Sequence, residues 1–288
     1  MRITYNRLFS YCVLVFFLAA CKSDPKQTIN EDTPRRIELL FLGHSQEHHN
    51  SRAYLPILAS GLTQSGINIT YTENLNDLNV KTLDSYDGLI VYANHESIGP
   101  AQEKALLNFV SDGNAFIPIH SASFCFKNSQ EYIELVGGQF KDHGTATFTA
   151  NITDNSHPSM QSVEEFSTWD ETYVHDKISE DIVILMERVD GDHREPWTWV
   201  KEYGKGKVFY TAYGHDERTW TNPGFQKLIR AGILWAVKPD VRKNWEQFKS
   251  DIPLLAYQEM ANIPNYEKRD PAPKYQMPLS PEESKKLI

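Results

Sequence analysis

Ten histidines are spread over this 288-residue chain, and several stand where a parallel sheet would gather them. His44 and the "EHHNS" stretch, with His48 and His49, follow the apolar run "IELLFLG". His95 follows "YDGLIVYAN", and His120 follows "NAFIPI". An imidazole titrates near neutrality, with an ordinary pKa of about 6.5, so it can take and return protons. Alternatively, histidines joined by Glu or Asp can hold a divalent metal such as zinc, which polarises a carbonyl or hydroxyl. The chain contains no H-E-x-x-H pattern, so a metal would need ligands assembled from distant loops. Either chemistry depends on the strand ends lying side by side.

The elements that must place them can be read in order. "IELLFLG" is near-continuously apolar and ends in glycine, as a strand buried on both faces does. "SRAYLPILASGLTQSG" carries Ala53, Tyr54, Ile57, Leu58 and Leu62 at helical spacing and stops at Gly66. "INITYTE" alternates like a strand. "YDGLIVYAN" is a buried strand, and "GPAQEKALLNFVSDG" a helix opened by proline and closed by glycine. Strands alternating with helices in units of about 30 residues predict an α/β, flavodoxin-like, doubly wound parallel sheet. Ligands of such sheets bind beyond the carboxyl ends of the strands, where these histidines fall.

The second half has a different texture. "GTATFTANITD", "EEFSTWDETYVHD", "DIVILMERVDG" and "PWTWVKEYGKGKVFYTAYGHD" read as strands of a mixed or antiparallel extension beside the main sheet. "NPGFQKLIRAGILWAVKPD" supplies a closing helix. Residues 240–288 are rich in proline and charge and are expected to form a poorly packed extension or linker.

Composition narrows the partners. With 40% hydrophobic and 23% charged residues and a net charge of -9, the chain is globular, and no basic block marks a nucleic-acid surface. Arg2 and Arg7 precede "YCVLVFFLAAC", too short for a comfortable membrane span. Its end, "LAAC", resembles a bacterial lipobox. Residues 1–21 are thus expected to be a lipoprotein signal peptide, with Cys21 as the lipidation site and residues 22–34 as a flexible tether. An uncleaved anchor is the alternative, and both place the body outside the cytoplasm, at a bacterial cell envelope. Of three cysteines, Cys12 lies in this leader and Cys21 would carry lipid. Cys125 has no partner for a disulfide in the mature chain.

The motifs "GNAFIPIHSAS", "LVGGQFKDH", "WDETYVHD", "PWTWVKEYGKGKVFYTAYGHD" and "FQKLIRAGILWAV", in that order, resemble the ThuA-like (trehalose utilisation) family over residues 35–239. The resemblance implies a class I glutamine amidotransferase-like fold. Amidotransferases of that fold carry a nucleophilic cysteine in the turn after this strand. Here His120 and Ser121 occupy the turn and Cys125 lies past it, so glutaminase chemistry is not expected. "HSAS" also lacks the glycines of a serine-hydrolase elbow.

Matching the family motif residue by residue implies a catalytic set of His120, His143, Glu171, Tyr173 and His215. His49, Ser121, Asp216 and Trp169 are candidates for substrate binding, Trp169 by stacking on a sugar ring. His49, His120, His143 and His215 are the candidate metal ligands, with Asp142 and Asp216 as candidate acceptors beside them. His175 has no assigned place in the motif; His157 reads as a turn residue and His193 as solvent-facing. The family's association with disaccharide catabolism and a dehydrogenase making 3-keto sugars implies a carbohydrate substrate. A ketone at C3 acidifies the C2 proton, so a base can remove it and expel the C1 substituent. That would make the chain a lyase- or hydrolase-type enzyme. The alternative is a non-catalytic sugar-binding or accessory domain of a secreted sugar-oxidation system, because "MPLSPEESKKLI" resembles the junction at which related chains continue into another module.

Overall fold

Strand β1 (Ile37–Gly43) buries every residue except Glu38, so Leu39, Leu40, Phe41 and Leu42 touch no solvent. Each such side chain contributes roughly 1.5–3 kcal/mol of hydrophobic stabilisation. A computed structural model describes residues 33–266 of the chain. The leader with Cys21, nearly all of the expected tether and the chain beyond Tyr266 lie outside the described residues. After β1, helix α1 (Ser51–Leu62) starts at Asn50, whose side chain accepts from the Ala53 N–H and caps the first turn. Then follow β2 (Ile67–Thr72), the single turn α2 (Val80–Leu83), β3 (Gly88–Tyr92), α3 (Pro100–Ser111) and β4 (Ala115–Pro118).

All neighbouring pairs among these strands are parallel, and their order, β2-β1-β3-β4, matches the doubly wound expectation. The strands ending near Gly43, Asn94 and Ile119 therefore share one edge. Next come α4 (Gln130–Val136), β5 (Gln139–Thr149), β6 (Asn151–Ile152), β7 (Ser167–Asp176), β8 (Val183–Asp190), β9 (His193–Tyr203) and β10 (Gly206–Thr211). Strand β10 joins β4 in parallel, and β9, β8 and β6 add antiparallel strands outside it. The expected antiparallel extension is present, with one difference. Strands β5 and β7 leave it to pair with each other as a separate two-stranded ribbon. Tyr173 of that ribbon lies flat on the His120 ring, with centroids 4.1 Å apart.

Among the described residues, α5 (Glu217–Trp220), α6 (Pro223–Ala236), α7 (Pro239–Phe248) and β11 (Tyr257–Glu259) follow. Helix α6 buries Phe225, Leu228, Ile229, Gly232, Ile233 and Ala236 on one face, as its spacing predicts. The extension past Pro239 differs from its expectation as far as Tyr266, because Val241 and Trp245 of α7 join the core. The Trp245 ring covers Gly66, whose left-handed backbone (φ 71°) and missing side chain make the room; a Cβ there would lie 2.1 Å from the indole. Strand β11 then pairs in parallel with β2. That covers an edge and explains why the alternating "INITYT" is buried throughout.

Candidate active site

The centre of the site is a carboxylate. Glu171 stands on β7, and its two oxygens face imidazoles from four different segments. Oε2 lies 3.2 Å from His120 Nε2 and 4.0 Å from His49 Nε2. Oε1 lies 3.2 Å from His215 Nδ1 and 3.5 Å from His143 Nδ1. Side-chain exposure rises from 0% at His120 through 8% at His49 and 15% at His215 to 40% at His143. His120 is thus the floor of the crevice, and His143 is the group that meets a ligand first.

Each side chain is held by backbone chemistry. His120 follows β4 in the left-handed region, with φ 47°, a conformation costing about 1–3 kcal/mol for a side-chain-bearing residue. Its carbonyl accepts from the Ser123 hydroxyl and lies 3.2 Å from the Tyr210 hydroxyl, and its Nδ1 donates to the Ala212 carbonyl at 2.7 Å. Gly214 packs against it, so that a Cβ at that position would lie 3.1 Å from His120 Cβ. Asp170 organises the opposite wall. Its buried carboxylate accepts from the N–H groups of Glu171, Gly214 and His215 and from the Thr219 hydroxyl, at 2.8–3.0 Å. Adjacent residues on β7 point to opposite faces, so Asp170 grips the loop after β10 while Glu171 faces the imidazoles. His49, in the loop before α1, sets its ring edge-on to those of His120 and His215 at 5.0 and 5.3 Å.

The electrostatics follow from this packing. Burial, reinforced by the neighbouring His120 ring, lowers the His49 pKa to about 3, so the ring is neutral. Burial works against charge on His215 too, but the Glu171 carboxylate outweighs it and raises that pKa. Burial would raise Glu171, yet His120 and His215 hold it well below the usual carboxylate range. Tyr173 is pushed far upward by burial and keeps its proton at neutral pH.

The family model described as trehalose utilisation, ThuA, matches residues 38–236. The chain belongs to the ThuA family. A carbohydrate-related function follows from that membership. Among solved structures, the chain is similar to a ThuA-like protein from Parabacteroides merdae at 16% identity and TM-score 0.59, covering 70% of this chain and 90% of that one. A ThuA-like protein from Bacteroides uniformis gives 15% identity and TM-score 0.57, over 70% and 91%. The cytoplasmic protein STM1381 from Salmonella typhimurium LT2 gives 17% identity and TM-score 0.53, over 70% and 100%. These likenesses show the shared fold. No curated protein matches the chain in sequence.

Within this ThuA-family site, His49, His120, His143, Glu171, Tyr173 and His215 come together as a group. The other candidates sit differently. Asp216 caps α5 through the Arg218 N–H and binds the Arg218 guanidinium. That guanidinium lies 3.5 Å over the Trp169 ring, so one face of Trp169 is already covered. Ser121 is buried, with its hydroxyl unpartnered. His44 and His95 stack on each other at 4.1 Å outside the Glu171 cluster. Asp142 bonds the backbone of His143 instead of its ring. His157 caps its own turn through Ser159, and His193 is exposed. Trp197, Trp199 and Trp220 are core residues.

Sequence reasoning missed Asp170 and the buried set beneath His120. There, His175 Nδ1 donates to Glu195 at 2.9 Å, and His175 Nε2 lies 2.9 Å from the Tyr210 hydroxyl. A signal existed for Asp170 in its place beside Glu171 in "WDETYVHD". For Glu195 and Tyr210 there was none, because their roles arise from β9 and β10 packing under the β4 turn.

Proposed function

We propose that this protein is a carbohydrate-processing enzyme acting on a 3-keto glycoside or disaccharide at the Glu171 centre. The observation that carries the reading is the convergence of four imidazoles on one carboxylate, with His143 at the mouth. In the proposed step, His143 takes the C2 proton of the keto sugar. The C2–H electrons form the C1=C2 bond, the C1–O bond breaks, and the departing oxygen takes a proton from a neighbouring acid such as Tyr173. Water adding back at C1 completes a net hydrolysis. The buried rings are shielded from solvent and serve to polarise and orient the sugar. A 3-keto substrate requires a sugar-oxidising dehydrogenase upstream as the partner in sequence.

The test is a panel of keto- and unmodified disaccharides. Turnover confined to keto sugars, lowered about 10²–10⁴-fold by His143→Ala with sugar binding retained, is expected of a lost proton-transfer group. Sugar binding without consumption of any substrate would instead favour the accessory-domain reading.

We also propose attachment to a bacterial envelope through lipid on Cys21, which rests on "LAAC" following an apolar run. Labelled fatty acid should enter the wild type and not Cys21→Ser; equal labelling of both would refute the anchor.

A further inference from the structure

We propose that His49, His120, Glu171 and His215 form a binding site for a divalent first-row transition metal such as zinc. The inference goes beyond the keto-glycoside reading, since it concerns what the protein itself holds and does not depend on which sugar it processes. One ligand atom from each of the four residues lies within 4.8 Å of all the others. Donors about 2.0–2.2 Å from a tetrahedral zinc ion stand about 3.4 Å from one another. Glu171 Oε2 lies 3.2 Å from His120 and 4.0 Å from His49, on either side of that edge, and Oε1 lies 3.2 Å from His215. Contracting a set whose atoms lie within 4.8 Å of one another to that edge takes side-chain adjustments of up to about an ångström.

Hydrogen-bond accounting points the same way. The Ala212 carbonyl can only accept, so the His120 proton resides on Nδ1. In the neutral ring, Nε2 then presents a lone pair to the Glu171 carboxylate at 3.2 Å, and two lone pairs at that distance require a cation between them. A proton could fill that one gap. It could not serve His49, whose two ring nitrogens are both buried without a partner. Buried polar atoms are nearly always paired, so the two orphaned His49 nitrogens beside this carboxylate are a specific shortage. A single divalent ion would take a lone pair from His49, His120 and His215 and balance the Glu171 charge at once.

The supports expected of a metal site are also in place. The Nδ1–H of His120 bonded to a carbonyl fixes the tautomer that leaves Nε2 to coordinate. Asp170 ties the backbones of Glu171 and His215 to one carboxylate, which presets two ligands before any ion arrives. Three imidazoles and a carboxylate suit zinc and its neighbours better than magnesium or calcium. His143, although 3.5 Å from Glu171, is the exposed member and stays outside the set. Its side of the cluster is where water or a sugar oxygen would take a further coordination position.

The experiment is elemental analysis of the full-length protein purified without chelator, then stripped, incubated with zinc chloride and dialysed. About one equivalent of zinc is expected. His49→Ala and Glu171→Gln, each checked for fold by circular dichroism, should weaken zinc binding by more than about 100-fold, above the 10–100-fold range of outer-shell losses. His143→Ala should retain the full equivalent. Glu171→Gln preserves side-chain shape, so a folding failure of His49→Ala would not remove the comparison. Replacing zinc with cobalt gives an independent readout, since visible d–d absorption should appear in the wild type and vanish in Glu171→Gln. Less than about a tenth of an equivalent in the folded wild type, or equal zinc in wild type and both ligand variants, would overturn the proposal. Neither result bears on whether keto sugars are turned over.

Discussion

Removing one buried oxygen from beneath the site should destabilise the whole domain. Tyr210 is fully buried, and its hydroxyl has His175 Nε2 at 2.9 Å, Ser123 Oγ at 3.0 Å and the His120 carbonyl at 3.2 Å. Glu195 only accepts, so the His175 proton sits on Nδ1, and burial lowers the pKa of the ring and keeps it neutral. Nε2 is then an acceptor whose one donor is the Tyr210 hydroxyl. In Tyr210→Phe the ring stays against Trp199, 4.1 Å away, so packing is preserved and the change is purely polar. The His120 carbonyl still receives the Ser123 hydroxyl at 3.1 Å. What remains is one buried, unpartnered imidazole nitrogen, which costs about 1–3 kcal/mol. For a domain of this size, about 2 kcal/mol lowers the unfolding midpoint by roughly 4–8 °C. Urea unfolding and thermal scans of wild type and Tyr210→Phe measure both quantities. A loss under about 0.5 kcal/mol would mean that the hydroxyl does not carry the His175 bond, and the account of how His120 is underpinned would fail.

Acid should destabilise the fold through His95. Burial first, and the stacked His44 ring second, lower its pKa from 6.5 to about 4. The unfolded chain therefore binds a proton that the folded chain refuses between those values. Its contribution is nil above pH 6.5, and stability falls by about 1.4 kcal/mol per pH unit down to about pH 4. His95→Gln should remove that slope, so its stability relative to wild type should improve by about 2 kcal/mol between pH 7 and pH 5; parallel pH profiles would refute the assignment. Trp245, only 4% exposed, should cost about 3–5 kcal/mol when replaced by alanine. A urea-measured loss below about 1 kcal/mol would return residues 239–266 to the status of a loose extension.

Much of the fold was legible from local pattern, because a strand covered on both faces must be apolar along its length. "IELLFLG", "YDGLIVYAN" and "NAFIPI", separated by helices, announced strands lying side by side in a parallel sheet, while their order came from the structure. The pairing of β5 with β7 was not legible. Alternating strands reveal which face is buried but not which partner they take, and β5 is mostly exposed in the ribbon. Residues 240–266 misled for a related reason: charge and proline describe the solvent side, while Val241, Trp245 and Met260 reach the core and β11 pairs with β2.

For the site, residue types and motif resemblance sufficed to nominate His120, His143, Glu171, Tyr173 and His215, since few side chains can move protons near neutrality. Their division of labour needed the third dimension. Side-chain exposure of 0% against 40% separates His120 from His143, and burial depth is a property of the assembled sheet. The replacement of His143 by Glu171 among the four clustered ligand atoms depends on the ribbon folding over the strand ends. His49, His120, Glu171 and His215 are up to 166 residues apart in the numbering. No spacing rule joins such positions, because their distance is set by strand order and loop closure and not by the chain between them.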